Sequence, residues 1–415
     1  MRRAPHPSRP SSTPDARSAP APPSIELIQT SKKLASLCHD LAASPLIALD
    51  SEFIREKTYY PVLEIVQIAD GRGRIALLDI PALGDLGALG GLLERSGLEI
   101  VLHSATQDIQ ILKHYLGFVP SSLFDTQLAA ALAGYGAQIS HANLVRDVLG
   151  RRVPTDQTTS DWSRRPLSPA QIHYASQDVA HLHELRESLL ARLSELGRLE
   201  WFREEQRRQH EDFLADAPVP DEECYHQVAN WARLDGFALA LLRELAAWRE
   251  QEARRRNLPR NYILPDAALT ALARSAPETP EALQSLGQFR DIPIGKLNTY
   301  WEPIRAAVRR ARALEPAQWP SKRAGDDPEI PIGLIELFQA LVRDTAEREG
   351  IAPALLATTA ELRALAIRRH DCEAASLPVL QGWRRSLIGE RLLALIDGRM
   401  RLRIENRDRL VIEEI

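Results

Sequence analysis

Residues 46–79 carry three strand-length runs in quick succession, and this segment limits the fold more than any other. "LIALD" is apolar up to Asp50, and "VLEIVQIAD" and "RIALLDI" follow, separated by the "GRG" of residues 71–73. Two β-type runs joined through glycines predict a hairpin, which places antiparallel strands beside the first. A helix over 31–43 precedes the group. A helix over 84–96, a fourth strand in "LEIVLHS" and a helix in "TQDIQILKHYLG" follow it. The order β-β-β-α-β-α, then mostly helices, predicts an α/β domain with a mixed sheet and flanking helices.

Beyond Asp221 the pattern is purely helical and falls into two blocks. The first contains "ALALLRELAAWREQEARRRNLPRN", the second "GLIELFQALVRDTAEREGIAPALLATTAELRALA". Each reads as a long helix, a proline-containing loop, short helices and a final helix, as two copies of one all-α unit would. Charge divides along the same lines. The net charge of −4 hides −7 over residues 24–216, +5 over 230–313 and −1 over 327–405, so a basic segment follows an acidic one. Residues 1–22, rich in Pro, Ser and Arg with few large apolar side chains, predict a disordered tail. The expected domains are 23–215, 228–313 and 329–408, with a linker over 314–328. No apolar run approaches the ~20 residues that span a bilayer. Cys38, Cys224 and Cys372 are scattered singly, which fits a reducing cytoplasm and no thiolate metal site.

The first apolar run ends in Asp50 and Glu52, two residues apart and therefore on one side of a strand. Carboxylates so placed repel each other and lose hydration unless a cation sits between them. Chance supplies such pairs in a chain with 56 acidic residues, so a solvated strand end fits the pair taken alone. Asp108 falls in the first turn of the helix after "LEIVLHS", at a strand-to-helix switch where α/β folds place ligand sites. An Asp there also simply complements a helix N-terminus, and the residues leave both readings open. Asp178 lies in a helix whose start is legible: Ser168 as N-cap, Pro169 in the first position, Gln171 completing a capping box. Ile172, Ala175, Val179, Leu182 and Leu189 form its buried stripe. Tyr174 stands four residues before Asp178, near the same face, while His173 points about 140° away. Read by itself, Tyr174 is a half-buried tyrosine with a wet hydroxyl.

Taken in order, "LDSEFIREKTYYPVLEIVQIAD", "LHSATQDIQILKHY", "FDTQLAAALAG" and "SDWSRRPLSPAQIHYASQDVAHL" resemble the successive motifs of the ribonuclease D family. That family belongs to the tyrosine branch of the DEDD 3′-to-5′ exonucleases. The likeness runs from about residue 46 to 190, and the two helical blocks resemble the HRDC domains that follow in the family. The resemblance implies a ribonuclease-H-like fold, with Asp50, Glu52, Asp108 and Asp178 as metal-binding acids and Tyr174 as the residue that orients water. It also implies RNA as substrate, most specifically tRNA precursors with 3′ extensions, trimmed from the 3′ end with release of 5′-mononucleotides. One departure is "PTDQTTSDW", where members carry a Lys-Ser-Glu-like stretch, which puts residues 154–160 in question. His173 meets the five-residue spacing of the superfamily's histidine variant and is the reserve candidate.

The chemistry suits these residues. Two divalent cations roughly 3.5–4 Å apart lower the pKa of an attacking water and stabilise the leaving 3′ oxygen. Hard ions such as Mg²⁺ or Mn²⁺ take carboxylate oxygens, and four acids offset the charge of two such ions. In the basic block, Arg249, Arg254, Arg255, Arg256 and Arg260 cluster at a helix end where they could contact phosphates, or form an ordinary charged face. "WRRSLIG", with Trp383 and Arg384, reads as a packing motif. A DNA-directed exonuclease and a non-catalytic RNA-binding protein are the competing readings. No membrane and no obligate protein partner is expected.

Overall fold

The computed structural model describes residues 23–155, 160–287, 289–290, 294–320, 330–368, 375–405 and 409–414. The expected tail over 1–22, residues 321–328 of the expected linker, Cys372, and residues 156–159 of the divergent 154–160 stretch lie outside the described residues.

One sheet organises the first half. Its strands are β1 (Ser24–Ile28), β2 (Leu46–Ile54), β3 (Val62–Ala69), β4 (Arg74–Asp79), β5 (Glu99–Leu102) and β6 (Leu123–Asp125). They lie in the order β1-β4-β3-β2-β5-β6. The 46–79 segment forms the expected antiparallel run, turning through Gly71 and Gly73, both at positive φ. Asp70 Oδ1 closes that turn by accepting from the N–H groups of Arg72 (2.7 Å) and Arg74 (3.1 Å). Strands β1 and β6 were not anticipated, because five and three residues are too few to show a period. They pair parallel with β4 and β5, and the sheet is mixed.

The helices of this half are α1 (Ser31–Leu41), α2 (Ile80–Leu83), α3 (Gly87–Leu93), α4 (Thr106–Leu116) and α5 (Thr126–Leu132). After them come α6 (His141–Leu144), α7 (Pro169–Ala180), α8 (Leu182–Glu195) and α9 (Leu199–Ala215). Alternation along the strands divides the side chains between two cores. Ile47 and Leu49 of β2 pack with α1, α3 and α4, whereas Ala48 packs with Ile65, Leu77 and residues of α5, α7 and α8. By the same two-residue period, Asp50 and Glu52 fall on the face of Ala48, toward α7.

Helix α7 begins as the sequence indicates, with both bonds of the Ser168–Gln171 capping box formed and Pro169 in its first turn. It ends sooner than expected. His181 (φ −108°, ψ −5°) separates α7 from α8, so Leu182 and Leu189 pack from a second helix.

The first helical block comprises α10 (Gly236–Arg256), α11 (Arg260–Ile263), α12 (Asp266–Ser275), α13 (Pro280–Ser285) and α14 (Ile294–Arg312) around its own core. The second comprises α15 (Ile332–Glu349), α16 (Pro353–Leu356), α17 (Thr359–Arg368), α18 (Gly382–Arg384) and α19 (Glu390–Ile396). The purely helical expectation needs correction at the end of the chain. Strands β7 (Met400–Glu405) and β8 (Arg409–Glu414) form an antiparallel hairpin that runs past residue 408. Arg401 and Arg403 both reach Glu413 across it at 2.8 Å. Among the described residues, no helix is long and apolar enough to cross a membrane.

Candidate active site

Strand β2 and helix α7 supply the acids. Carboxylate oxygens of Asp50, Glu52 and Asp178 all lie within 4.8 Å of one another. This follows from two periods read together: alternation puts Asp50 and Glu52 on the α7 side, and the fixed start of α7 sets where Asp178 comes down upon them. Asp108 belongs to the same electrostatic unit but is held differently. It is buried in the first turn of α4, and its Oδ1 accepts a hydrogen bond from the Ser51 hydroxyl. Ser51 lies between the two strand carboxylates and points to the opposite face, where α4 packs.

The turn that presents Asp108 is braced by Asp125, at the end of β6. Its carboxylate accepts from the N–H groups of Ser104 (2.9 Å), Ala105 (3.0 Å) and Gln127 (2.8 Å) and from Gln209 (3.2 Å). Ser104 has a φ of 63°, a left-handed conformation that the Asp125 bonds hold in place. On the other side, Arg165 anchors the segment leading into α7 by pairing with Asp79 (2.8 Å) and Glu64 (3.3 Å).

The acids strain against their surroundings. Burial pushes Asp50 well above the usual carboxylate range, and the charges of Asp108, Asp178 and Glu52 push it further. Glu52 is raised to about 9, first by burial and then by Asp178 and Asp108. Asp108 rises to about 7 through burial, against the lowering effect of the Ser51 bond. Asp178 also rises to about 7, through burial and then Asp108. Asp108 is buried and the other three are half-buried, and four carboxyls all raised in this way form a site that favours positive charge. Oxygen spacings within 4.8 Å are close to those around one ion with ligands at about 2.1 Å. The donor set is all oxygen, so the residues fit a hard divalent ion.

Tyr174 is half-buried one turn before Asp178, its ring 6.2 Å from that of Trp162. His173 is exposed, as the helix start requires. A histidine that sequence reasoning passed over does border the site. His141, at the start of α6, places Nδ1 3.7 Å from Asp178 Oδ1. Burial, followed by His103 and His181, lowers its pKa to about 3, so it stands neutral beside the acid. Its only signal in the sequence is the N-cap Ser140 before it. Asp125 and Ser51 were likewise missed as supports, although both lie within the quoted motifs.

The arginines of the first block face other partners. Arg249 is buried, bonded to Leu264 O (2.9 Å) and Asp266 (2.7 Å), which corrects its reading as a phosphate contact. Arg260 pairs with the buried Glu250, and Arg254 with Asp221 (2.6 Å). Both guanidinium groups lie over the ring of Tyr59, at 6.0 Å for Arg254 and 5.4 Å for Arg260. Arg255 and Arg256 share Glu252, and Arg255 is exposed.

The chain is similar to known proteins over most of its length. A family model for 3′-5′ exonucleases matches residues 25–194, and one for the HRDC domain matches residues 238–303. A ribonuclease D of Nitrobacter hamburgensis is 38% identical over 388 residues, spanning 92% of this chain and 97% of the relative. A ribonuclease D of Gluconacetobacter diazotrophicus is also 38% identical, over 92% of this chain and 95% of its own. Among solved structures, Escherichia coli RNase D superposes with a TM-score of 0.80 at 28% identity, over 90% of this chain and 99% of that one. The chain belongs to the ribonuclease D family of 3′-to-5′ exoribonucleases.

Proposed function

We propose that the chain trims the 3′ ends of structured RNA, tRNA precursors above all, by two-metal-ion hydrolysis, with Asp50, Glu52, Asp108 and Asp178 as the metal ligands. The convergence of the Asp50, Glu52 and Asp178 oxygens within 4.8 Å carries this reading. Bound divalent ions, Mg²⁺ or Mn²⁺, supply an acidified water and a neutralised leaving oxygen. The chain's own part is placement. Ser51 and Asp125 fix Asp108, and the capped helix α7 fixes Asp178. Tyr174 aims the attacking water through its hydroxyl, since a phenol with a pKa near 10 is a poor base at neutral pH. His173, exposed on another side of α7, takes no part.

The choice of structured RNA draws on the E. coli relative, an exoribonuclease involved in structured RNA processing, and tRNA is the narrower substrate that the family resemblance implies. Arg255 and Arg256 remain the phosphate contacts offered by the first block. The domain limits stay at 23–215, 228–313 and 329–408, the last extended by the hairpin. The second block is a divergent HRDC copy: α15, α16 and α17, of 18, 4 and 10 residues, repeat the 21, 4 and 10 of α10, α11 and α12. The buried free thiols of Cys38 and Cys224 suit a cytoplasmic setting.

The test is a product ladder from a 5′-labelled tRNA bearing a 3′ extension, run with Mg²⁺, Mn²⁺ or EDTA and alongside Asp50→Ala. The expected ladder shortens from the 3′ end and disappears with EDTA and with the substitution. RNA binding without any ladder in either metal would leave a binding protein instead.

A further inference from the structure

Strand β3 carries one polar side chain where its neighbours on the same face are apolar. Gln67 lies between Ile65 and Ala69, is 0% exposed, and neither Oε1 nor Nε2 has a hydrogen-bond partner among the described residues. A buried amide left unpaired costs stability, and an apolar side chain of similar volume would avoid that cost. Its place in the sheet suggests what it is for. In the antiparallel register of β2 and β3, Gln67 stands directly opposite Asp50. Directly opposed residues share a face, with Cβ atoms about 4.5–5.5 Å apart. That is within reach of a glutamine amide to an aspartate carboxylate. The other neighbour in register, Leu77 on β4, offers no polar group.

We propose that Gln67 is a positioning residue for the metal site: its amide N–H donates to the Asp50 carboxylate and aims that carboxylate at the bound cation. The inference rests on the metal-site reading above. A carboxylate that serves a cation with one oxygen keeps lone pairs for a donor behind it, and such outer partners set its direction. Gln67 is the group on β3 that can fill that role. An amide with no other partner among the described residues then gains this contact when the ion binds.

The full-length protein tests this with Gln67→Leu and Gln67→Met, the second matched in length so that packing is preserved. Mn²⁺ affinity is measured by titration calorimetry and metal-free melting by scanning calorimetry. The inference requires opposite signs: Mn²⁺ binding weakens by about 10–100-fold, while the metal-free Tm stays level or rises by about 2–4 °C as the unpaired amide is removed. Unchanged Mn²⁺ affinity in Gln67→Met, or weakened affinity accompanied by a lowered Tm in both variants, overturns the inference and makes Gln67 an ordinary core residue. Wild-type protein that binds no Mn²⁺ overturns the metal-site reading, and this inference with it.

Discussion

The two helical blocks repeat one helix order yet attach to the nuclease in opposite ways. The second is continuous with it: Phe338, Leu341, Leu365, Trp383 and Leu392 belong to the same apolar core as Ala48, Ile65 and the buried residues of α5, α7 and α8. A buried polar contact reinforces that union. Arg384 forms a two-pronged pair with Glu205 of α9, Trp383 Nε1 donates to the same carboxylate (2.8 Å), and the Trp383 ring stacks on Trp201 at 4.7 Å. The first block keeps a separate core and touches the nuclease through a polar node. Its buried Glu250 accepts from Tyr59 and Arg260, and Asn257 Oδ1 accepts from the Tyr60 N–H (3.1 Å). Tyr59 and Tyr60 lie on the loop that leaves β2 just beyond Glu52. The difference teaches that the second block shares the apolar core of the nuclease, while the first holds a loop beside the acids through polar contacts.

Several changes can break this contrast, and the largest effect belongs to the second block. A chain ending at residue 320 should fail to give a cooperatively folded nuclease, as checked by circular dichroism melting, because one wall of the apolar core is then missing. A truncated chain that melts like the full one would refute the shared core. Next in size is Arg384→Ala, which leaves Glu205 buried with its main partner gone and should cost about 3–5 kcal/mol in denaturant unfolding. A third test separates docking from the acid site. The metal-free protein holds Asp108 and Asp178 at about 7 and Glu52 at about 9. In the unfolded chain these groups ionise near 4. As pH rises above about 4 the unfolded state therefore releases protons that the folded state keeps, and stability falls until about pH 9. Mn²⁺ should reverse the loss, so the Tm gain it brings should be larger at pH 8 than at pH 5. A smaller effect is expected of Tyr59→Phe, about 1 kcal/mol, with hydrogen exchange faster over residues 55–61 and global melting almost unchanged. The smallest is Arg255→Ala, whose melting should match the wild type, because an exposed arginine in an i,i+3 pair contributes little.

The sequence made some of this legible and hid the rest for identifiable reasons. Asp50, Glu52 and Asp178 could be read because each rests on a local period whose start is marked, by the apolar run before β2 and by the capping box of α7. The exposure of His173 and the half-burial of Tyr174 followed from the same helix start. The hairpin at 400–414 did leave a signal, the alternating "RLRIE" and "RLVIE", which the helical run before it overshadowed. Nothing local revealed Arg249 as buried, since its partner Asp266 lies on another helix. Asp125, Gln67 and the Arg384–Glu205 pair were hidden likewise, because the groups they face lie 17 to 179 residues away.

The most direct test of the account is anomalous diffraction from crystals of the wild-type protein grown with Mn²⁺. The account predicts two peaks roughly 3.5–4 Å apart, one among the oxygens of Asp50, Glu52 and Asp178 and the other in contact with the acid set as well. An acid cluster without any peak at saturating Mn²⁺, in protein that shortens RNA under the same conditions, would contradict it.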